Sequence, residues 1–157
     1  MRRTNIILTV CVLALAVLCY LSVSAPIRFQ REQAQREESV KHRLLQIRSA
    51  EERYRKATGL YTESFDTLVA RGYLADSLRY IPYSGGQTFS LAVSVQTAKS
   101  GRAIPLMECD APYESYLDGL DASSVANLTE EANASGRYAG LKIGDIDTPT
   151  DNAGNWE

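Results

Sequence analysis

VKHRLLQIRSAEERYRKATG, residues 40–59, decides the reading of the whole chain. Its apolar positions Val40, Leu44, Ile47, Ala50, Tyr54 and Ala57 are spaced by four, three, three, four and three. That spacing lines one face of an α-helix. Arg43, Gln46, Arg48, Glu51, Glu52, Arg53 and Arg55 fill the remaining positions and are expected on the solvated side. Glu51 with Arg55 and Glu52 with Lys56 form i,i+4 pairs in the favourable order. Gly59 follows the basic last turn and supplies a residue that can end the helix in a left-handed conformation.

Toward the N-terminus, residues 27–39 (IRFQREQAQREES) carry charge with few apolar anchors. That stretch, Arg31 and Arg36 included, is expected to stay free for partners. Before it lies a run without charge between Arg3 and Arg28, 24 residues long. As a helix the run would extend about 36 Å, and it predicts a membrane span over residues 5–25. Pro26 can kink such a helix without stopping it. The Arg2-Arg3 tail argues for a cytoplasmic N-terminus, whereas Arg28–Arg43 argue the opposite way. The competing reading is a secretory signal cut after Ser22-Val23-Ser24, releasing a soluble binding domain from Ala25.

Toward the C-terminus, Thr62 is placed to cap a short helix that ends before Gly72. Leu78–Tyr83, the turn Ser84-Gly85-Gly86 and the alternating segment Gln87–Val95 predict a β-hairpin with Phe89, Leu91, Val93 and Val95 on its buried face. Ile47, Ala50 and Tyr54 are expected to pack there. Arg102–Cys109 reads as a further strand, demoted to an edge by Pro105. Asp121 is suited to cap a helix over residues 122–134, with Gly136 beyond its end, and Leu141–Ile143 reads as a last short strand.

A long helix followed by a loop and antiparallel strands, with Ala50-x-x-x-Tyr54-x-x-x-x-Gly59-x-Tyr61 at the junction, resembles the pseudopilins of type II secretion systems and the related type IV pilins. Leu68-Val69, Gly72-Tyr73-Leu74 and Pro26 fall where that family has comparable residues, and the resemblance covers roughly residues 6–95. The chain departs from the family in having no Gly before the apolar run and no glutamate within it. The resemblance implies an α+β, pilin-like fold, with a transmembrane-plus-stalk helix packed on a small antiparallel sheet. The organisation expected is residues 1–27 as tail and membrane helix, 28–59 as stalk and 60–157 as head. The uncharged run and the Arg2-Arg3 tail, which resists translocation, predict an inner-membrane, single-pass protein with a cytoplasmic N-terminus and a periplasmic C-terminal domain, and the resemblance implies a non-enzymatic subunit bundling with other envelope proteins and the lipid bilayer. The alternative is an accessory subunit of another inner-membrane complex, such as an energy-transducing motor.

Charge is distributed unevenly. Residues 28–58 hold nine basic and five acidic side chains, and residues 59–157 hold six and fourteen. The net charge of −2 speaks against a nucleic-acid partner, and no small-molecule substrate is evident. Three cysteines exclude a disulfide scaffold, and Cys109 reads as a buried thiol. His42, between Lys41 and Arg43, reads as a surface residue, and no nucleophile turn is visible. No cofactor is indicated except calcium. Asp145, Asp147, Asp151 and Asn152 offer hard oxygen ligands at short spacing; a solvated acidic tail is the first reading of that loop, and Ca²⁺, which the resemblance brings in, is the alternative.

Overall fold

The computed structural model describes residues 2–157. Met1 and the side chains of residues 2–4 and 21–25 lie outside that description, and with them the basic Arg2-Arg3 pair and the Ser22-Val23-Ser24 cleavage site. The chain divides into two compact units, Met1–Gln35 and Arg36–Glu157.

Helix α1 is Arg2–Thr58 and runs through Pro26. It stops where the Gly59 N–H donates to the Arg55 carbonyl at 2.7 Å, with Gly59 at φ +88°. Within the first unit, the large apolar side chains from Ile6 to Tyr20 are 57–73% exposed. Among the described residues no helix is long and apolar enough to cross a membrane. The run also includes Asn5 and Thr9, whose hydroxyl bonds back to the Asn5 carbonyl at 2.9 Å. This overturns the transmembrane-anchored pilin-like fold, the single-pass arrangement and the inner-membrane location with a periplasmic head.

The second unit is α+β. Val40, Leu44, Ile47 and Ala50 are completely buried, and they form the stripe that the spacing in 40–59 predicts. The polar residue Glu51 is buried with them, while Tyr54 turns aside to meet Tyr73 edge to face at 5.9 Å. Three antiparallel strands follow in the order β1-β2-β3, with β1 at Ser90–Thr97, β2 at Ala103–Pro112 and β3 at Gly140–Gly144. The deepest sheet residues are Met107, Cys109 and Ala111 on β2 and Ile143 on β3. Phe89 is buried, but Leu91 and Val93 are half-buried and Val95 is 54% exposed. The sheet core therefore centres on β2 rather than on the Phe89–Val95 face.

Pro105 explains the misplacement of β2. It pairs with Val95 on one side, yet β3 pairs only with Glu108–Pro112. The central strand is thus an edge at the level of the proline, where a missing N–H costs no ladder bond.

The hairpin over 78–95 forms only as a short antiparallel contact around its turn, with the Ile81 N–H donating to Gln87 O at 2.7 Å and the Phe89 N–H to Arg79 O at 2.9 Å. Asp76–Arg79 is a 3-10 turn, and Tyr80 makes one isolated bridge to Thr88. Gly85 and Gly86 have the positive φ of a turn, and Tyr83, also at positive φ, belongs to the turn rather than to the strand. Helix α2, Phe65–Ala70, is capped by Ser64 rather than by Thr62. The Thr62 hydroxyl instead accepts from the Ser64 N–H at 3.2 Å. A one-turn helix α3, Tyr113–Tyr116, precedes α4, Ala122–Ala134, whose Ser124 N–H donates to Asp121 at 2.8 Å.

Candidate functional site

Arginines of α1 dominate the polar attachments of the second unit. At 100° per residue, Arg43 and Arg53 flank one side of the buried stripe and Arg48 and Arg55 flank the other. Arg43 Nη1 donates to the carbonyls of Ser77 and Tyr80, and Arg53 Nη2 donates to Tyr73 O at 2.7 Å. Arg48 Nη1 reaches Asn152 O at 3.1 Å and the Glu157 carboxylate at 3.2 Å. Arg36 Nη1 bonds Tyr116 O at 3.1 Å and Asp118 O at 2.7 Å. These fixed cations satisfy carbonyls of irregular segments, which have no strand or helix to do so.

Arg36 is therefore not free for partners. Arg31 is exposed, and its reversal should change stability by less than about 0.5 kcal/mol. Arg43→Ala should cost roughly 1.5–3 kcal/mol, the range for hydrogen bonds to a charged donor. Urea unfolding midpoints of the two variants check the contrast.

On the Arg48 and Arg55 side lies a cleft of about 310 Å³, lined by Glu52, Arg55, Tyr61, residues 104–106, Asp145 and residues 149–152. Arg55 Nη1 donates to the Tyr61 hydroxyl at 2.9 Å, and Asn152 Nδ2 donates to the same oxygen at 2.7 Å. Three of the four expected calcium ligands, Asp145, Asp151 and Asn152, thus border one cleft. Asp147 does not line it, and its backbone carbonyl accepts from Gln96 Nε2 at 2.6 Å.

The residues do not fit a calcium shell. Asp145 Oδ1 accepts from the Asp147 and Thr148 N–H groups at 2.8 and 2.9 Å, and Oδ2 faces Lys142 Nζ at 3.3 Å. Those backbone bonds, and then Lys142, hold the Asp145 carboxyl below the usual carboxylate range. Asn152 spends its amide on Tyr61. Among the described residues no group of three or more His, Cys, Asp or Glu side chains is gathered to hold a metal ion. Asp145 is instead the cap of its own loop.

Candidate catalytic groups are equally dispersed. His42 is exposed beside a shallow groove with Leu45, Gln46, Ser49 and Tyr73. Cys109 is fully buried, and burial pushes its thiol well up from the ordinary value. Glu51 is the polar residue that a reading by helix faces misplaces. It is completely buried, its Oε2 accepts from the Thr62 N–H at 3.1 Å, and its Oε1 has no partner among the described residues. Burial raises its carboxyl to about 7 against the lowering effect of the Thr62 bond.

The chain matches no family model, no curated protein and no solved structure.

Proposed function

We propose that the chain is a non-enzymatic structural subunit, pseudopilin-like in role, of a secretion or type IV filament-like apparatus, and that it assembles with further copies through the N-terminal part of α1. The observation that carries this reading is the exposure of the apolar side chains over Ile6–Tyr20 on a continuous helix. They are not confined to one stripe: Ile6, Ile7, Leu8, Val10, Val12 and Leu13 fall around the helix. A helix that is apolar all round belongs inside a packed environment. Neighbouring helices on several sides supply that environment, whereas a single docking partner would cover one face.

Charge supports copies of this chain as those neighbours. Residues 28–58 carry an excess of four positive charges, and residues 59–157 an excess of eight negative ones. An acidic segment of one copy can meet the basic helix of the next in a head-to-tail series, which grows rather than closes. Dispersal of the titratable groups in the second unit fits a structural role.

Cys11 and Cys19 are exposed on the apolar helix and Cys109 is buried, so the chain carries its own cross-linking reporters. Mild oxidation of the full chain should yield disulfide-linked dimers and higher species through Cys11 and Cys19. Cys109→Ala should leave the pattern unchanged, and Cys11→Ala with Cys19→Ala should abolish it. Cross-links confined to a random minority, or lost when an unrelated apolar peptide is added as competitor, would count against ordered assembly.

A further inference from the structure

Resting on the assembly reading, we propose that the groove between α3 and the start of α4 receives helix residues 27–31 of a second copy. Ile27 enters the groove, and Arg28 and Arg31 meet Glu114 and Asp118 at its rim. The groove is a cavity of about 250 Å³. Leu117 and Val125, both buried, line it together with half-buried Leu120. On α4, Ala122, Val125 and Ala126 fall on one face at i, i+3 and i+4, and the two small alanine side chains keep the groove open.

Two carboxylates border this apolar surface. Glu114 and Asp118 are exposed, and among the described residues neither side chain has an ion pair or a hydrogen bond. The backbone that carries Asp118 is held in place by Arg36, whose Nη1 donates to the Tyr116 and Asp118 carbonyls at 3.1 and 2.7 Å. An apolar slot with an anchored wall and two unneutralised acids fits a large aliphatic side chain flanked by cations.

The chain itself presents that combination. Ile27 is 52% exposed, and Arg28 and Arg31 are exposed without a partner among the described residues. On α1 both arginines lie within a strip of about 100° that begins at Ile27, so one surface offers all three. Other exposed apolar side chains lack this setting. Residues 5–20 carry no charge, and no arginine stands within four positions of Leu60 or Val95. Tyr83 is already covered by the Arg36 guanidinium at 4.8 Å. Exposed ion pairs alone contribute little, so burial of Ile27 supplies the affinity and the charges set the register. Each copy gives one such helix turn and receives another, the heterologous arrangement that a head-to-tail series needs.

The test uses the full chain with Cys11→Ala and Cys19→Ala, which leaves only buried Cys109. Tagged copies with Ile27→Cys are mixed with untagged copies with Ala122→Cys and oxidised mildly, and copies with Lys99→Cys, on the exposed turn after β1, serve as the control. Ile27→Cys copies should link to Ala122→Cys copies and not to Lys99→Cys copies. Arg28→Glu with Arg31→Glu should lower the yield roughly tenfold at low salt, and Glu114→Arg with Asp118→Arg in the partner should restore it. If that partner does not fold, the helix variant decides alone, and an undiminished yield overturns the proposal. So do linking no better than to Lys99→Cys, absence of rescue by a folded partner, and a link that forms only when Ile27→Cys and Ala122→Cys share one chain. Cross-links through Cys11 and Cys19 of the unaltered chain, scored in parallel, separate the two readings. With them present and the Ala122→Cys link absent, the groove contact falls alone; with both absent, it falls together with the assembly reading.

Discussion

Replacing Ile47 by Asp is expected to remove a large part of the stability of the second unit at neutral pH. Ile47 is completely buried between Leu44 and Glu51 on the α1 stripe. The substitution removes a full apolar side chain and installs a second carboxyl beside the one the core already holds without a counter-ion. Losing the apolar burial and desolvating the new group should together cost about 3–5 kcal/mol. A domain of this size commonly has 5–15 kcal/mol to lose. Circular dichroism and denaturant titration should show the midpoint moved strongly toward zero denaturant at pH 7, recovering in part at pH 4.5 as both carboxyls take up protons.

Gly144→Ala should be nearly as damaging for a different reason. Gly144 closes β3 opposite Glu108 with φ +69°, and its N–H donates to Ala153 O at 2.9 Å. A Cβ built there would lie 2.1 Å from the Met107 carbonyl oxygen, which belongs to the central strand and cannot swing away. Backbone strain and collision act together, and the expected loss is roughly 3 kcal/mol or more. Gly59→Ala serves as the control: it has a similar positive φ but open space around the Cβ, so it should lose only the conformational part. Equal midpoints for the two variants would show that β3 shifts freely against β2.

The contrast between these sites marks what was readable in the sequence. Val40, Leu44, Ile47 and Ala50 were legible because helical periodicity reports burial directly. Gly59 and Asp121 were legible because end chemistry is local. Glu51 was not, since polarity assigned it to the solvated face and no local pattern encodes an unpaired carboxyl in a core. The arginines were placed on the correct element, but their carbonyl partners lie 20 to 104 positions away in the chain. Such pairing is tertiary information. Pro105 misled because a rule about sheet edges applies to a level of a strand and not to the whole of it. The hairpin at 78–95 is shorter than expected, because Asp76–Arg79 is a 3-10 turn and Tyr83 takes a left-handed conformation that no propensity anticipates. The uncharged run was read from its length, its lack of charge and its basic flanks. Among the described residues no helix is long and apolar enough to cross a membrane, and the exposure of these side chains on a helix is what now bears on function.

Sedimentation of the full 17.3 kDa chain over a range of concentrations, at low and high salt, tests the central claim most directly. Assembly through α1 predicts discrete oligomers that grow with concentration. Leu13→Asp should disperse them without altering the unfolding of the second unit, and added salt should weaken them as the opposed charges are screened. A monomer at every concentration, or association unchanged by Leu13→Asp, would contradict it.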